Sequence, residues 1–227
     1  MVGTELVYEP IVSLLFFLLM FSAVIPFISH DAQGYPGTFF AYTEYKSGSC
    51  AESYGELLTT DADVRVGSGD ANFIDIEFNI NNWMAVGWCE GDTPWGSTYP
   101  DRKFYWDQRL AGGYSGGLLG VADVNTWHSY RVMYQLRTTG SWNVYVDGVS
   151  KWTTNFGSYR IGTPTANVEL KDTMDNVNCH VMNLQYALVA YRFIQWYSWD
   201  GYGATYADPR PPLSMTIVSN TEWTCVS

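Results

Sequence analysis

Two carboxylates alternate with apolar residues in the segment Phe73-Ile-Asp-Ile-Glu-Phe-Asn-Ile80, a spacing that could support acid/base chemistry. Side chains two residues apart on a β-strand share a face, so Phe73, Asp75 and Glu77 are expected to point together. Carboxylates on one face can exchange protons with a substrate or accept hydrogen bonds from ligand hydroxyl groups. The competing interpretation is structural: Asp75 and Glu77 would lie on the solvated face of a half-buried strand.

Aromatic residues form a second group that could bind a ligand. They make up 17% of the chain and include ten tryptophans and seventeen tyrosines, more than the core of one domain needs. Their flat apolar faces and polar edges suit stacking on sugar rings and also recur at protein interfaces. For any single ring, core packing is the more frequent role. The candidates for an exposed, carbohydrate-binding set are Trp83, Trp88, Trp95, Trp106, Trp196 and Trp199.

The elements that must position these side chains are short runs in which apolar and polar residues alternate. Gly and Asp turn residues separate the runs, and this pattern is typical of β-sheet. The runs cover residues 38–45, 63–66, 73–80, 83–88, 127–134, 142–146, 151–154, 181–196 and 213–218. Thr138-Thr-Gly140 predicts a hairpin turn, and Asp147-Gly148 predicts a second one. No convincing helical periodicity follows Ser29. The sequence therefore predicts one all-β, antiparallel sandwich domain over residues 34–227.

Two of these runs resemble strands of the concanavalin-A-like lectin and glucanase superfamily. Thr126-Trp-His-Ser-Tyr-Arg-Val-Met-Tyr134 is similar to its Trp-His-x-Tyr strand, and Ser141-Trp-Asn-Val-Tyr-Val-Asp-Gly148 to its strand ending in Tyr-Val-Asp-Gly. Leu184-Gln-Tyr-Ala-Leu-Val-Ala-Tyr191 stands where the superfamily has a closing strand. The resemblance implies a jelly roll of two packed antiparallel sheets.

The segment Ile74-Asp-Ile-Glu-Phe78 resembles the catalytic strand of family-16 glycoside hydrolases, Glu-Ile-Asp-Ile-Glu. Retaining glycosidases need a nucleophile and an acid/base carboxylate about 5 Å apart. Phe73 stands at the nucleophile's position, so the resemblance implies no two-step hydrolysis through a covalent intermediate. An inverting reaction would pair Glu77 with another carboxylate, for which Asp107 and Asp175 are candidates.

The apolar run at residues 11–29 is long enough, at ~1.5 Å per helical residue, to approach the ~30 Å core of a bilayer. Residues 1–33 are therefore predicted to be a signal peptide, with Ala32 as a cleavage residue, or a retained anchor. A cleaved signal peptide is the favoured interpretation, but Glu5 and Glu9 stand where the cationic start of a signal peptide is expected, which leaves a retained anchor as the alternative. A Glu before an apolar helix also resembles a type IV pilin. The chain is predicted to be secreted or displayed at the cell surface.

The four cysteines, Cys50, Cys89, Cys179 and Cys225, are even in number and widely spaced. In a chain predicted to be exported, this pattern favours two disulfides, for which three pairings can be drawn. A bond from Cys225 to the body of the domain is the favoured one, because chain ends otherwise fray. The spacing is too wide for a structural zinc site, and neither a metal nor a cofactor is predicted.

The formal charge of -11, without a basic patch, disfavours binding to nucleic acid. Two functional classes remain open. The first is a non-catalytic carbohydrate-recognition or adhesion domain, with aromatic rings on a concave sheet and with Asp75 and Glu77 accepting hydrogen bonds from glycan hydroxyls. The second is a self-assembling subunit of a filament or coat. A glycan-cleaving hydrolase ranks third.

Overall fold

The computed structural model describes residues 39–45, 49–61, 64–79, 81–93, 97–111, 113–190, 193–199, 204–206 and 211–227. The elements in these ranges are β1 (Phe39–Tyr45), β2 (Cys50–Thr59), β3 (Gly69–Asn79), β4 (Asn82–Asp92), β5 (Thr98–Leu110), β6 (Gly113–Val121), β7 (Thr126–Tyr134), β8 (Ser141–Val146), β9 (Val149–Asn155), β10 (Thr163–Leu170), β11 (Asn178–Ala190), β12 (Phe193–Ser198), β13 (Ala204–Tyr206), β14 (Ser214–Ser219) and β15 (Glu222–Val226). Within them there is no helix, and so none that could cross a bilayer. The predicted N-terminal apolar helix lies outside the described residues.

The strands form two antiparallel sheets. Sheet A has the order β13-β1-β10-β3-β4-β5-β6, and sheet B has the order β14-β15-β11-β2-β7-β8-β9 with β12 paired to β11. Each sheet contributes one face to a shared apolar core, as the alternation of buried residues along the strands requires. This arrangement confirms the predicted all-β architecture of two antiparallel sheets.

Large aromatic side chains fill the space between the sheets. Trp223 is fully buried, and its indole Nε1 donates to Thr43 Oγ1 at 3.0 Å, which joins a sheet B strand to a sheet A strand. Trp142 is also fully buried, and its Nε1 donates to the backbone oxygen of Tyr159 at 3.0 Å. A buried Trp is tolerated where its N–H finds an acceptor. The other fully buried large aromatic residues of this core are Trp88, Trp199, Tyr130 and Phe156.

Both predicted hairpins are confirmed, since β7 pairs with β8 and β8 pairs with β9. Asp147 and Gly148 have φ angles of 51° and 73°, and Gly140 has a φ of 72°. A two-residue hairpin turn that matches the right-handed twist of its strands needs positive φ values at both residues. Asp-Gly adopts these values at low cost.

Two strand predictions were wrong. Residues 64–66 form no strand but lead into a turn at Val66 and Gly67, and the Val66 side chain is fully exposed. The run 181–196 is two strands, β11 and β12, which pair with each other. Nothing in the sequence indicated two strands here, because residues 184–196 contain no Gly, Pro, Asn or Asp.

Several strands were not predicted from the sequence. β5 contains five charged residues, and β2 contains two glutamates and a glycine, so neither has the composition expected of a strand. The charges of β5 are tolerated because this strand buries one face and turns Lys103, Asp107 and Arg109 to the other side.

Candidate functional site on the outer face of sheet A

A row of residues crosses the outer face of sheet A, which is the face turned away from sheet B. The strand register aligns, from β1 to β6, Glu44, Thr165, Asp75, Ala85, Asp107 and Gly116. These six residues are named the acidic row. Neighbours such as Ile74, Ile76 and Trp106 pack in the inter-sheet core, so the row faces outward. A carboxylate stands on every second strand, which places successive acidic Cα atoms about 9.6 Å apart.

Aromatic side chains flank the acidic row on both sides. On one side, Phe73 and Tyr105 meet edge to face with ring centroids 6.4 Å apart. On the other side, Trp83 and Tyr114 meet edge to face at 5.5 Å. These four rings belong to one apolar cluster, separate from the inter-sheet core. Asp75 and Asp107 therefore lie between two aromatic pairs, in surroundings of low polarity where electrostatic interactions are strengthened.

Asp107 is a buried carboxyl of the acidic row whose pKa is shifted. Its side chain is only 4% exposed, and the Tyr114 hydroxyl donates to Oδ2. Oδ1 is buried, and no group among the described residues donates to it. Burial raises the pKa of Asp107 to about 7, although the Tyr114 hydrogen bond lowers it. A carboxyl with this pKa is protonated in about half of the molecules near neutral pH and can act as an acid.

Asp75 is held in place by its neighbours on β10. Asn167 Nδ2 donates to Asp75 Oδ1 at 3.4 Å and to Thr165 Oγ1 at 2.6 Å. Asp75 is only 3% exposed, so the expectation of a solvated carboxylate was wrong. Glu77 is half-buried near the end of the same strand. The expectation that Phe73, Asp75 and Glu77 share a face is confirmed, because Ile74 and Ile76 occupy the core side.

Three of the predicted carbohydrate-binding tryptophans are core residues. Trp88, Trp106 and Trp199 pack between the two sheets, so their rings do not belong to the outer face of sheet A. Trp88 and Trp106 sit at strand positions that alternate with the outer face. The prediction failed because a run of tryptophans does not indicate which strand face points inward.

The other predicted tryptophans are not gathered at one place. Trp83 lies on the outer face of sheet A and is 8% exposed. Trp196, at 38% exposure, lies on the outer face of sheet B, where the Arg131 guanidinium sits 4.6 Å from its ring centroid. Trp95 lies outside the described residues. The structure thus keeps Trp83, Asp75 and Glu77 of the predicted set together and separates Trp196 from them.

Of the two carboxylates considered as partners for Glu77, the structure brings only Asp107 to the same face. Asp175 accepts hydrogen bonds from the Ser68 hydroxyl and, at 3.0 Å, from the backbone N–H of Arg65. It lies close enough to Asp70 to raise that residue's pKa. Asp70 and Glu77 are separated along β3 by about 23 Å at ~3.3 Å per residue. Asp175 is therefore at the opposite end of the strand.

Sequence reasoning missed Glu44, Asn167, Tyr105 and Tyr114 as members of this surface. Each stands on a strand that is distant in the chain from β3, and only the register places it beside Asp75 or Asp107. The one usable signal was the alternation of charged residues along β5, since a charge at every second position marks the face opposite the core.

The predicted pair of disulfides is not formed in the structure, because Cys89, Cys179 and Cys225 all carry free thiols. Cys50, Cys179 and Cys225 are buried in the inter-sheet core, whereas Cys89 belongs to the aromatic cluster on the outer face of sheet A. Within the described part of the chain, no group of three or more His, Cys, Asp or Glu side chains could hold a metal ion.

Comparison with known proteins identifies the fold. The chain is similar to scytalido-glutamic peptidase bound to a peptide-based transition-state analogue, with a TM-score of 0.59, 8% identity, and coverage of 83% of this chain and 97% of the other. It is also similar to SCP-B of the eqolisin peptidases in complex with the tripeptide Ala-Ile-His, with a TM-score of 0.51, 10% identity, and coverage of 85% and 98%. At such identities the likeness shows a shared fold.

A β-glucanase of Bacillus licheniformis matches more weakly, with a TM-score of 0.37, 13% identity, and coverage of 81% and 67%. That score is too low to support an argument about this chain. No protein-family model and no curated protein sequence matches the chain. The class defined by fold and site is thus an antiparallel two-sheet sandwich with an acidic, ring-lined outer face.

Proposed function

We propose that the chain is an exported recognition protein that binds a neutral, hydroxyl-rich glycan on the outer face of sheet A. The observation that carries this proposal is the acidic row between two aromatic pairs. Carboxylate oxygens accept hydrogen bonds from sugar hydroxyls, and aromatic rings pack against the apolar faces of sugar rings. Asp75 and Asp107 are buried in this face, so the half-buried Glu44 and Glu77 are the carboxylates that a linear chain of sugars lying across it would meet first.

The polar side chains nearest to solvent on this face suit a polyol. Glu44, Glu77, Asn167 and Arg109 are half-buried and supply both acceptors and donors. The formal charge of -11 disfavours phosphorylated or carboxylated glycans, since they would approach a surface of their own sign. A neutral glycan avoids this repulsion. Retention in a membrane through residues 11–29 and self-assembly stay predictions.

Titration calorimetry with a panel of neutral linear polysaccharides tests glycan binding. Tyr114→Ala and Trp83→Ala are expected to weaken binding at least about tenfold, the equivalent of about 1.4 kcal/mol, because both remove a flanking ring. Tyr114→Phe keeps the ring and should cost less than Tyr114→Ala. Trp196→Ala is the matched control, because Trp196 lies on the other sheet and its loss should leave the affinity unchanged.

Two outcomes would contradict recognition at this face. The first is a wild-type protein that binds none of the polysaccharides at millimolar concentration. The second is a loss of affinity in Trp196→Ala with full affinity in folded Trp83→Ala and Tyr114→Ala, which would place the ligand on sheet B.

A second candidate function on the same face is hydrolysis of the bound glycan with inversion of configuration. It is favoured by the raised pKa of Asp107 and by the position of Asp75 in the same row, two strands away with Ala85 of β4 between them. Inverting glycosidases hold their two carboxyl groups about 6.5–9.5 Å apart, which a Cα spacing of about 9.6 Å allows. Asp107 would give its proton to the glycosidic oxygen as the bond from that oxygen to the anomeric carbon breaks. Asp75 would take a proton from the attacking water, whose oxygen forms the new bond to the anomeric carbon.

Hydrolysis predicts that Asp107→Asn and Asp75→Asn each reduce glycan cleavage by at least about a hundredfold. The wild-type rate should fall as the pH rises through about 7, because Asp107 then loses the proton it must donate. Reducing-end assays measure the rate, and NMR of the first anomer released measures the stereochemistry. Asp101→Asn, on the same strand but exposed, is the control. Cleavage that is unaffected by Asp107→Asn, or that retains configuration, would rule this reaction out.

A further inference from the structure

Two cysteines face each other at the C-terminal end of sheet B. The register of β11 and β15 makes Cys179 and Cys225 direct cross-strand partners. Directly opposed residues in an antiparallel pair have Cα atoms about 4.5–5.5 Å apart, which lies within the ~4.4–6.8 Å that disulfides span. Both side chains are buried in the same inter-sheet core, at 1% and 0% exposure, so both point to the same side of the sheet.

We propose that Cys179 and Cys225 form a disulfide that fastens the C-terminal hairpin to sheet B. The hairpin is β14 with β15, and β15 joins the rest of the sheet through its pairing with β11. A covalent link between β11 and β15 therefore holds this hairpin to the rest of sheet B.

The other two cysteines cannot form a second bond of this kind. Cys50 is on β2 in the inter-sheet core, whereas Cys89 is on β4 in the cluster on the outer face of sheet A. Sheet A itself separates these two side chains. Of the pairings left open by the sequence, Cys179 with Cys225 is the one whose side chains the strand register brings together.

The bond requires a two-electron oxidant, for which a small-molecule disulfide such as oxidised glutathione suffices. One cysteine thiolate attacks the oxidant and releases one small thiol, which leaves a mixed disulfide on the protein. The second cysteine thiolate then attacks the protein sulfur of that mixed disulfide and releases the second small thiol. Two protein thiols are oxidised and one oxidant molecule is reduced to two thiols, with the protons passing to solvent.

The timing of oxidation follows from burial. Burial raises the pKa of the Cys179 thiol well above its ordinary value, with a further contribution from Cys225, and it raises the pKa of Cys225 to about 12. Thiolate is therefore scarce in the folded protein, and an oxidant has no access to it. The bond forms while the chain folds, before β15 has closed onto β11.

The loop closed by the Cys179–Cys225 disulfide should stabilise the domain against unfolding. It spans residues 180–224 and includes β13, which pairs with β1 on sheet A so that Thr205 lies opposite Glu44 of the acidic row. A loop of about 45 residues restricts the unfolded chain substantially. For a domain of this size, reduction is expected to lower Tm by roughly 8–16 °C.

Oxidative refolding of the full chain with oxidised glutathione, followed by alkylation and non-reducing peptide mapping, tests the assignment. A cross-linked peptide that joins Cys179 to Cys225, with Cys50 and Cys89 alkylated, supports it. Alkylation of all four cysteines, or any other pairing, overturns it. The wild type should also lose thermal stability when a reductant is added, whereas Cys225→Ala should melt at the same temperature with and without reductant. Cys89→Ala is the control that keeps the reductant effect. A wild type without this effect would likewise overturn the proposal.

Discussion

Replacing Asp107 with Asn is expected to stabilise the fold above pH 7 and to remove most of its pH dependence between about pH 4 and pH 7. The reason is the location of the carboxyl, which is 4% exposed, lies between aromatic rings and has one oxygen without a donor among the described residues. An ionised carboxylate in such a place is costly, and Asn has the same shape without the charge.

The direction in which stability changes with pH follows from the pKa of Asp107 in the folded and in the unfolded chain. In the folded protein the pKa of Asp107 is about 7, above its ordinary 3.8, so the folded state binds the proton more tightly than the unfolded chain. The protonated form of Asp107 therefore adds to the stability of the fold. This stabilisation is complete below about pH 4 and is lost as the pH rises towards 7. The gap between the two pKa values corresponds to about 4 kcal/mol, which sets the upper limit of the gain in Asp107→Asn.

Urea unfolding followed by tryptophan fluorescence at about pH 5 and about pH 8 measures the effect. The wild type should lose stability between these two conditions, whereas Asp107→Asn should change little. Asp101→Asn is the matched control, because this residue is on the same strand with a side chain 75% exposed. A wild type as stable at pH 8 as at pH 5 would show that Asp107 is not buried as described.

A buried acid that weakens its own fold is consistent with a role in binding or catalysis.

Trp88→Ala is expected to destabilise the domain by about 3–5 kcal/mol, the usual loss for a large aromatic residue removed from a core. Trp88 is completely buried between the sheets on β4. Its removal leaves a cavity bounded by strands of both sheets, which the surrounding backbone cannot fill by small shifts. Chemical unfolding of both proteins measures the difference.

Trp196→Ala is the matched comparison for Trp88→Ala. Trp196 is 38% exposed and rests against Arg131 and Tyr54 on the outer face of sheet B. Its loss should cost no more than about 1 kcal/mol. Equal losses for the two variants would contradict the assignment of one tryptophan to the core and the other to the surface.

The acidic strand illustrates how far local pattern could lead. Alternation in residues 73–80 correctly placed Ile74 and Ile76 in the core and Phe73, Asp75 and Glu77 on the opposite face. It could not show that Asp75 is buried and bonded to Asn167, because Asn167 lies on β10, far away in the chain. Local spacing reports the direction of a side chain but not the elements that approach it.

Tryptophan content was informative about class but not about place. A high aromatic fraction correctly indicated a chain with much apolar surface to bury or display. Trp88 and Trp83 are five residues apart on one strand, yet they end on opposite sides of sheet A. This odd spacing follows the period of two along a strand, so one of the two had to be internal.

By itself, the sequence determined the all-β class, the antiparallel sheets and the tight turn at Asp147-Gly148, because periodicity and turn residues act over a few positions. Tertiary structure alone decided the order of the strands, the alignment of Glu44, Asp75 and Asp107 in one row, and the meeting of Cys179 with Cys225. These partners are far apart in the chain. Their contact depends on how the packing of two whole sheets sets each strand's register, which no short stretch of residues encodes.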